Sequence, residues 1–549
     1  MAPASSLVLA LCLLGSQLAS AAPNPPLATV ALDYGTFTGQ TNASTGIISF
    51  RGIRFADAPV KALRWRAPVS PPSKKMGRVD ASEFGPACIA TTQKASGATT
   101  DEDCLFGNVY VPSTATTTSK LPVLVYIYGG GFESGRTTKY PPEDLMSGSA
   151  NPFIMATFGY RLGQFGFLGG AAVKADGALN VGLLDQKAAL RWVNRYISKF
   201  AGDPSRVTIW GQSAGAGSVI YHLINRSTTD TGVPLFQQAM GDSPPLLSLL
   251  DYDDDFVEGL FSTFAVNAGC NKTTDAATMK CLRSVDQDVL ANAGKRTLET
   301  APNSLYPFGP MFDGDFISQR PAQALLTGNF AAVPVLFGSN SDEGANWSAK
   351  LPPGGGANTS SASATESTVF NFLAGQYTSL TRETFDDALR GPTEEDDDDT
   401  ALYPLSDYAG QYSLQGQQMY GEMRYICTGL LVAGAVRRAG KVAYEYHWDN
   451  PVLGSTHSDE RVAFFETPSP LDEANTNLVG AMREFWTSFV TTGTPESSAS
   501  ASTAEWMPST ENGSPRILLS PEGIRMEEVD PALAARCQFW WESAEELQI

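Results

Sequence analysis

The chain has 549 residues, of which 42% are hydrophobic and 17% are charged, the proportions of an ordinary globular protein. Its formal net charge of −20 argues against a polyanionic partner such as nucleic acid, which it would repel. No Cys-x-x-Cys or Cys/His cluster occurs, which argues against a zinc site. The sequence implies no metal and no organic cofactor.

The N-terminus has the features of a secretory signal peptide. Residues 7–14 form an apolar core that is too short to span a bilayer, and residues 19–21 are a small-x-small cleavage site. No later stretch is long and apolar enough for a transmembrane helix. We therefore expect residues 1–21 to be removed and residues 22–549 to form one domain that is secreted to the extracellular space.

The cysteines and sequons agree with export. Six cysteines remain after the signal peptide, an even number that suits an oxidising compartment. They are Cys88, Cys104, Cys270, Cys281, Cys427 and Cys537. Pairing of near neighbours is the simplest connectivity, although spacing alone leaves the others open. Asn-x-Ser/Thr sequons predict glycosylation at Asn42, Asn225, Asn271, Asn346 and Asn358.

Strands and helices alternate along the chain. Residues 30–68 predict an antiparallel hairpin before the main fold, and residues 182–200 carry apolar side chains at helical spacing. Further β-rich apolar runs predict strands at residues 121–128, 153–160, 207–210, 333–338 and 442–446. This alternation predicts an α/β fold with a large, mostly parallel sheet, helices on both faces and long insertions.

Three polar stretches are predicted to be surface loops. They are the Gly/Ser/Thr-rich residues 352–368, the acidic run at 394–399 and the Ser-rich residues 497–503. The acidic run lacks the spaced ligands of a calcium-binding loop, so we expect a solvated segment there and no metal site.

The strand at residues 207–210 leads into a tight turn around Ser213 and then into an apolar helix. Glycines flank this serine at positions 211 and 215, as a nucleophile elbow requires, because a side chain at either position would clash between strand and helix. The helix would point its N-terminal amides and the positive end of its dipole toward the serine oxygen. Ser213 is therefore the candidate nucleophile.

A serine hydroxyl needs a general base, and the chain has only three histidines. His222 falls on the helix after the elbow and His447 ends a strand, positions that are typical of packed side chains. His457 lies in a polar loop after the last predicted strand, where it can reach the carboxyl edge of the sheet, so we predict it to be the base.

The acid that orients the base is predicted in the loop after the strand at residues 333–338. Either Asp342 or Glu343 could serve there on geometry alone. The order of serine, acid and histidine along the chain matches that of the α/β-hydrolases.

A run of three glycines, 129–131, directly follows the strand at residues 121–128. Consecutive glycines allow backbone amides to turn inward without obstruction by side chains. Together with the amide of Ala214, these glycines predict an oxyanion hole. A phosphate-binding loop is the competing interpretation, but the run lacks the Lys-Ser/Thr ending of that motif.

Six stretches carry a resemblance to a known family. They are EDCLFGNVYVP (102–112), YGGGF (128–132), GYRLGQFGFL (159–168), NVGLLDQKAALRWV (180–193), FAGDPSRVTIWGQSAG (200–215) and SDEGA (341–345). In this order they resemble the type-B carboxylesterase/lipase family, the cholinesterase-like branch of the α/β-hydrolases. The sequence as a whole resembles the secreted fungal lipases and esterases of that family.

The resemblance implies specific roles. It selects Glu343 as the triad acid and His457 as the base, and it implies an oxyanion hole formed by Gly130, Gly131 and Ala214. It also implies three disulfides: Cys88 with Cys104, Cys270 with Cys281, and Cys427 with Cys537.

Two departures from the family bear on the substrate. Gln212 precedes the nucleophile, where the family often has glutamate. The loop at residues 89–103 contains no Trp to hold a quaternary ammonium group, which argues against choline esters. That loop is also short and polar, whereas related lipases have a longer amphipathic lid. We therefore expect an esterase with an open gorge.

The sequence thus predicts a secreted serine hydrolase of small-molecule or lipid carboxylic esters that forms an acyl-enzyme. A broad carboxylesterase is the first interpretation, followed by a lipase or sterol esterase and by a feruloyl-type esterase. An alternative from another class is an adhesion module that has lost the triad, which the presence of all three triad candidates disfavours.

Overall fold

The computed structural model describes residues 27–301, 303–351, 356–390, 401–498, 504–511 and 513–549. The predicted signal peptide, the acidic run at 394–399 and most of the Ser-rich stretch at 497–503 lie outside the described residues.

The strands, in chain order, are β1 (Thr29–Ala31), β2 (Thr36–Thr38), β3 (Gln40–Asn42), β4 (Ile47–Arg54), β5 (Arg78–Asp80), β6 (Ala87–Cys88), β7 (Thr100–Asp101), β8 (Phe106–Pro112), β9 (Leu121–Ile127), β10 (Ile154–Phe158), β11 (Gly202–Gln212), β12 (Gln238–Asp242), β13 (Val335–Asn340), β14 (Ala443–Trp448), β15 (Arg516–Ser520) and β16 (Gly523–Glu527).

The α-helices are α1 (Glu143–Ser147), α2 (Gly163–Gly166), α3 (Ala171–Asp176), α4 (Val181–Tyr196), α5 (Ala214–Ile224), α6 (Asp255–Asn267), α7 (Asp275–Ser284), α8 (Gln287–Leu298), α9 (Pro321–Thr327), α10 (Glu366–Gln376), α11 (Arg382–Arg390), α12 (Tyr412–Gly421), α13 (Cys427–Arg438), α14 (Glu473–Thr492) and α15 (Pro531–Glu542). A π-helical turn, Glu422–Ile426, joins α12 to α13.

An 11-stranded sheet organises the fold, in the order β16-β15-β14-β13-β12-β11-β9-β10-β8-β4-β3. The strands from β15 to β10 run parallel, and antiparallel strands flank them at both ends. All residues of β10 and β13 are buried, as their continuous apolar sequences predict for strands covered on both faces. The predicted α/β-hydrolase fold is confirmed.

The N-terminal region differs from the single hairpin that the sequence predicts. A turn in which the amide of Leu32 donates to the carbonyl of Gly35 closes β1 on β2, and these strands join β5 in a separate three-stranded sheet. A second turn, closed by Gly46 and Asn42, links β3 to β4 at the edge of the main sheet. Two turn-forming clusters in succession therefore make two short hairpins.

The boundary of the loop predicted at residues 352–368 also differs. Helix α10 begins at Glu366, because Thr365 and Thr368 exchange side-chain and backbone hydrogen bonds as a capping box. The last three residues of the predicted loop are therefore helical. Among the described residues, none of the helices combines the length and the apolar character that crossing a bilayer needs.

Three disulfides join Cys88 to Cys104, Cys270 to Cys281, and Cys427 to Cys537, the pairings that the resemblance implies. The third attaches α15 to the residue that follows the π-helical turn. The neighbouring residue of α15, Arg536, forms an ion pair of 2.8 Å with Glu422, the first residue of that turn. Two adjacent residues of α15 therefore hold both ends of the π-helical turn.

Candidate active site

The elbow serine lies at the carboxyl end of β11. Ser213 has φ 57° and ψ −127°, and it sits between the last residue of the strand and the first residue of α5. A Cβ at Gly211 would lie 2.3 Å from the carbonyl carbon of Gly215, and a Cβ at Gly215 would lie 2.0 Å from the carbonyl oxygen of Ile127. Strand and helix approach too closely for any other residue at these two positions, so the serine is held in a strained turn.

Strand topology brings the predicted triad residues together from three distant parts of the chain. Glu343 follows β13, and His457 follows β14. The Nε2 atom of His457 lies 2.8 Å from Oγ of Ser213, and its Nδ1 atom lies 2.6 Å from Oε2 of Glu343. The candidate nucleophile, base and acid thus form one hydrogen-bonded chain with the geometry of a catalytic triad.

The structure distinguishes the two candidate acids. Glu343 is fully buried, and its second carboxylate oxygen, Oε1, accepts a 2.8 Å hydrogen bond from the amide of Asn340. Asp342 is exposed, and its backbone amide bonds the carbonyl of Ser455. The carboxylate that contacts the imidazole is therefore that of Glu343.

Aromatic side chains support the imidazole. The ring of Tyr425 lies 4.3 Å from that of His457, and the ring of Trp347 lies 5.0 Å from it, measured between centroids. The indole nitrogen of Trp347 donates a 2.7 Å hydrogen bond to the carbonyl of Glu343. These contacts restrict the rotation of the imidazole and keep both of its nitrogen atoms aligned.

Each predicted oxyanion donor lines at least one of the two cavities that Ser213 also lines. Gly130 and Gly131 have φ values of 116° and 64°, which favour glycine, and a Cβ at Gly131 would lie 2.2 Å from the Tyr306 ring. Within the described part of the chain, no group accepts a hydrogen bond from the amides of Gly130, Gly131 or Ala214. Three amides beside the nucleophile are thus available to bind a developing oxyanion.

Two chambers meet at Ser213. The outer chamber contains His457, and exposed residues such as Lys139 and Asn346 lie at its rim. The inner chamber is lined mainly by apolar side chains, and His457 is not among its lining residues. These apolar side chains include Phe132, Phe167, Leu247, Val257, Leu260 and Met311. The site therefore has separate space for the two halves of a substrate on either side of the nucleophile.

Sequence comparison assigns the family. The profile described as "Carboxylesterase family" matches residues 26–540. This chain belongs to the carboxylesterase family. The predicted resemblance is therefore confirmed, and the relatives of this carboxylesterase-family protein are named lipases and esterases.

Two fungal relatives illustrate the similarity. A secreted lipase of Botryotinia fuckeliana is 31% identical over 524 residues, which cover 89% of this chain and 88% of the relative. A secreted triacylglycerol lipase of Gibberella zeae is 35% identical over 343 residues, and this alignment covers 58% of each protein. The chain thus aligns with less than two thirds of the second lipase.

Among solved structures, the carboxylesterase-family protein is similar to EstA of Aspergillus niger. That comparison gives a TM-score of 0.79 and 29% identity, and it covers 95% of this chain and 99% of EstA. A structure titled PNB esterase gives a TM-score of 0.73 at 25% identity, with 94% of this chain and 99% of the other covered.

The remaining histidines do not reach Ser213. His222 is fully buried, and its two ring nitrogens contact Ser227 Oγ at 2.9 Å and Gln186 Oε1 at 3.2 Å. Burial, with a smaller contribution from Lys187, lowers the pKa of His222 to about 3. This histidine is a neutral packing residue, as its place on the helix indicates.

His447 belongs to a second Ser–His–Glu arrangement. Its Nε2 atom lies 2.8 Å from Ser341 Oγ, and its Nδ1 atom lies 2.8 Å from Glu527 Oε1. The amide of Ser341 donates to the carbonyl of Trp448, and the next amide also has a backbone acceptor. Because neither amide beside Ser341 is available to an oxyanion, this arrangement cannot perform acyl transfer in the same way.

Gln212 connects the elbow to the histidine loop. Its Nε2 atom donates a 2.7 Å hydrogen bond to Oγ of Ser458, the residue after His457. The neutral amide thus replaces the negative charge that a glutamate would place beside the nucleophile.

The loop at residues 89–103 forms one wall of the outer chamber and is attached to the body of the protein. Both the amide and the hydroxyl of Ser96 donate to Oδ1 of Asp288, at 2.7 and 2.9 Å. The amide of Glu102 donates to Gln287, and the amide of Thr91 donates to a carbonyl beside the glycine run. These bonds fix the loop at the side of the chamber.

Sequence reasoning missed several residues that support this site. Asn340 joins two acidic groups, since its amide bonds Glu343 and its side-chain nitrogen donates to Glu460 Oε2 at 2.6 Å. Burial raises the pKa of Glu460 well above its usual value. The position of Asn340, directly after an apolar strand and before Glu343, is a signal that could have identified it. Tyr425 has no comparable local signal.

The predicted glycosylation sites differ in accessibility. Asn42, Asn271, Asn346 and Asn358 are exposed. Asn225 is partly buried, and its Nδ2 atom, to which a glycan would attach, donates a 2.8 Å hydrogen bond to the carbonyl of Phe316. The described residues contain no cluster of His, Cys, Asp or Glu side chains that could hold a metal ion.

Glu133, which follows the glycine run, gives a pH-dependent prediction. It is buried, it accepts a 2.9 Å hydrogen bond from the amide of Phe308, and burial raises its pKa from 4.5 to about 8. Between these pH values the native protein keeps a proton that the unfolded chain has lost, so Glu133 reduces stability as the pH rises. We expect Glu133→Gln to raise Tm at pH 8 by more than at pH 5, measured by calorimetry.

The control for this prediction is Glu83→Gln at an exposed position, which should change Tm by a similar amount at both pH values. If the difference in Tm between Glu133→Gln and the parent were the same at pH 5 and pH 8, the buried carboxyl would not be the titrating group.

Proposed function

We propose that this member of the carboxylesterase family is a secreted serine hydrolase of carboxylic esters. The observation that carries the proposal is the hydrogen-bonded chain from Ser213 through His457 to Glu343, with distances of 2.8 and 2.6 Å. This chain lies beside three available amides in a cavity with room for two substrate halves. The same geometry disfavours an adhesion module without catalytic activity.

In acylation, Ser213 Oγ attacks the ester carbonyl while His457 Nε2 removes its proton. The carbonyl oxygen becomes negatively charged and accepts hydrogen bonds from the amides of Gly130, Gly131 and Ala214, each worth about 3 kcal/mol. Glu343 keeps the proton of the imidazole on Nδ1 and stabilises the imidazolium that forms. His457 then protonates the alcohol oxygen, and the carbon–oxygen bond of the ester breaks.

In deacylation, water takes the place of the alcohol beside His457. The imidazole removes a proton from this water, which attacks the acyl carbon, and the second tetrahedral intermediate uses the same three amides. The intermediate then collapses to the carboxylic acid, the bond between the acyl carbon and Ser213 Oγ breaks, and His457 donates its proton to Oγ. Apart from the ester and water, these steps use side chains and amides of this chain.

A fluorescent phosphonate and a panel of p-nitrophenyl esters of graded acyl length test the proposal. We expect the phosphonate to label Ser213 at one equivalent per chain and to abolish hydrolysis in proportion to labelling. Protein that neither reacts with the phosphonate nor hydrolyses any ester of the panel, while giving a cooperative thermal transition, would contradict the proposed function.

The attached loop at residues 89–103 indicates an esterase with a permanently open outer chamber. We expect tributyrin turnover to saturate smoothly as its concentration passes the solubility limit, because no lid has to open at an interface. The measurement is an initial-rate titration in a pH-stat. A sharp rise in rate where the emulsion appears would mean that the loop moves, and the protein would then be a lipase with a lid.

The lipase alternative rests on the names of the relatives, since those of Gibberella zeae and Botryotinia fuckeliana are both called lipases. Triolein added to the ester panel separates the two functions. No particular contact in the chambers favours a sterol or feruloyl ester.

We also propose that the chain from residue 22 is one exported domain. Support comes from the three disulfides, which need an oxidising compartment, and from relatives that are named secreted lipases. Glycans are proposed at the predicted sequons, with Asn225 requiring release of its internal hydrogen bond.

A further inference from the structure

Arg424 brings a positive charge into the inner chamber. It lies in the π-helical turn Glu422–Ile426, a type of distortion that is frequent at functional sites. Arg424 and Ser213 line the same chamber, and only 7% of Arg424 is exposed. The chamber that is otherwise mainly apolar therefore contains a buried cation, because arginine stays protonated in proteins.

No carboxylate of the described residues neutralises Arg424. Its guanidinium lies 5.8 Å from the ring of Tyr420 and 5.9 Å from the ring of Tyr425, and its Nε atom has no hydrogen-bond partner. A buried charge without a counter-ion destabilises the folded protein. This unneutralised charge lies at the wall of the inner chamber.

The other buried arginines of the described chain differ in this respect. Each forms an ion pair with a carboxylate: Arg64 with Glu102, Arg161 with Asp185, and Arg516 with Glu527. Carboxylates are abundant in a chain of net charge −20. Among the buried arginines of the described chain, Arg424 nevertheless differs in having no carboxylate beside it. Tyrosine side chains, Tyr377 and Tyr425 among them, surround the guanidinium in place of a carboxylate. An arginine without a carboxylate partner beside a nucleophile is suited to binding an anionic group of a ligand.

The position of His457 determines which half of the substrate meets Arg424. The imidazole must reach the oxygen of the leaving alcohol, so the alcohol occupies the outer chamber, which His457 lines. The acyl group then extends into the inner chamber, where Arg424 lies. Arg424 therefore faces the acyl part of the ester.

We propose that Arg424 binds a carboxylate at the far end of the acyl chain, so that half-esters of short dicarboxylic acids are preferred substrates. This inference rests on the proposed function. The ring of Tyr425 lies 5.9 Å from the guanidinium and 4.3 Å from the imidazole ring, so both groups adjoin the same side chain, a spacing that suits a short diacid such as glutarate. The apolar side chains of the chamber would pack against its methylene groups.

The kinetic test compares monoethyl glutarate with ethyl pentanoate, a neutral ester of similar length, in a pH-stat. We expect Arg424→Gln to lower the ratio of kcat/KM for the anionic ester to that for the neutral ester at least tenfold. Arg424→Lys, which keeps the charge, should retain most of the ratio. Titration with the phosphonate corrects each variant for the fraction of folded active sites.

A binding test separates this inference from the proposed function. Glutarate should raise Tm of the Ser213→Ala variant, and adding Arg424→Gln to that variant should remove the shift. If neutral esters are hydrolysed but Arg424→Gln leaves both the kinetic ratio and the glutarate shift unchanged, the anion site is wrong and the hydrolase stands. If glutarate binds through Arg424 but no ester is hydrolysed, the hydrolase is wrong and the anion site stands.

Discussion

Replacing Ser213 by alanine is expected to lower kcat for ester hydrolysis by at least about 10⁴-fold, because the variant can form no acyl-enzyme. Its Oγ atom is the group that faces both the imidazole and the three available amides. The measurement is kcat for p-nitrophenyl butyrate, together with labelling by the fluorescent phosphonate, which should also disappear. Tm should remain close to that of the parent.

Ser341→Ala is the matched control, since Ser341 also lies 2.8 Å from a histidine that contacts a glutamate. Without oxyanion donors beside it, this serine should be dispensable, and the variant should keep the activity and labelling of the parent. Loss of labelling in Ser341→Ala, with retention in Ser213→Ala, would mean that Ser341 is the nucleophile and Ser213 is not.

Replacing Glu343 by glutamine is the second large effect that we expect, a loss of about 10³- to 10⁴-fold in kcat. The amide group can keep the hydrogen bond from Asn340, but its NH₂ group would face Nδ1 of His457. The imidazole would then carry its proton on Nε2, where it cannot accept the proton of Ser213. The pH profile of kcat/KM measures the change together with the rate.

Asp342→Asn provides the control at the adjacent position. It removes the same charge from an exposed side chain outside the hydrogen-bonded chain, so kcat should stay near that of the parent. A large loss in Asp342→Asn, with little change in Glu343→Gln, would reassign the orienting acid.

Features set by neighbouring residues could be predicted from the sequence. The turn at Ser213 is defined by two glycines and by the strand and helix around it, and the three-glycine run carries its own conformational signal. With three histidines in the chain, the loop position of His457 distinguishes it from the other two as the candidate base. Local pattern is informative here because each of these features depends on a few consecutive residues.

Features set by packing between distant residues could not be predicted in this way. Asp342 and Glu343 are adjacent and chemically alike, and they are distinguished only by the burial that one of them acquires. Tyr425 and Arg424 reach the site through a π-helical turn, and no local sequence pattern in this chain predicts that turn. The second Ser–His–Glu arrangement likewise depends on the register of β14 beside β13.

The attachment of α15 to the π-helical turn makes the chemistry depend on a distant segment. Glu422 and Cys427 are held by Arg536 and Cys537, and between them lies the ring on which the imidazole rests. Proteolytic removal of α15, or reduction of its disulfide, would detune proton transfer without altering any reacting atom. We therefore expect the rate of ester hydrolysis to respond to the redox conditions in which this disulfide forms.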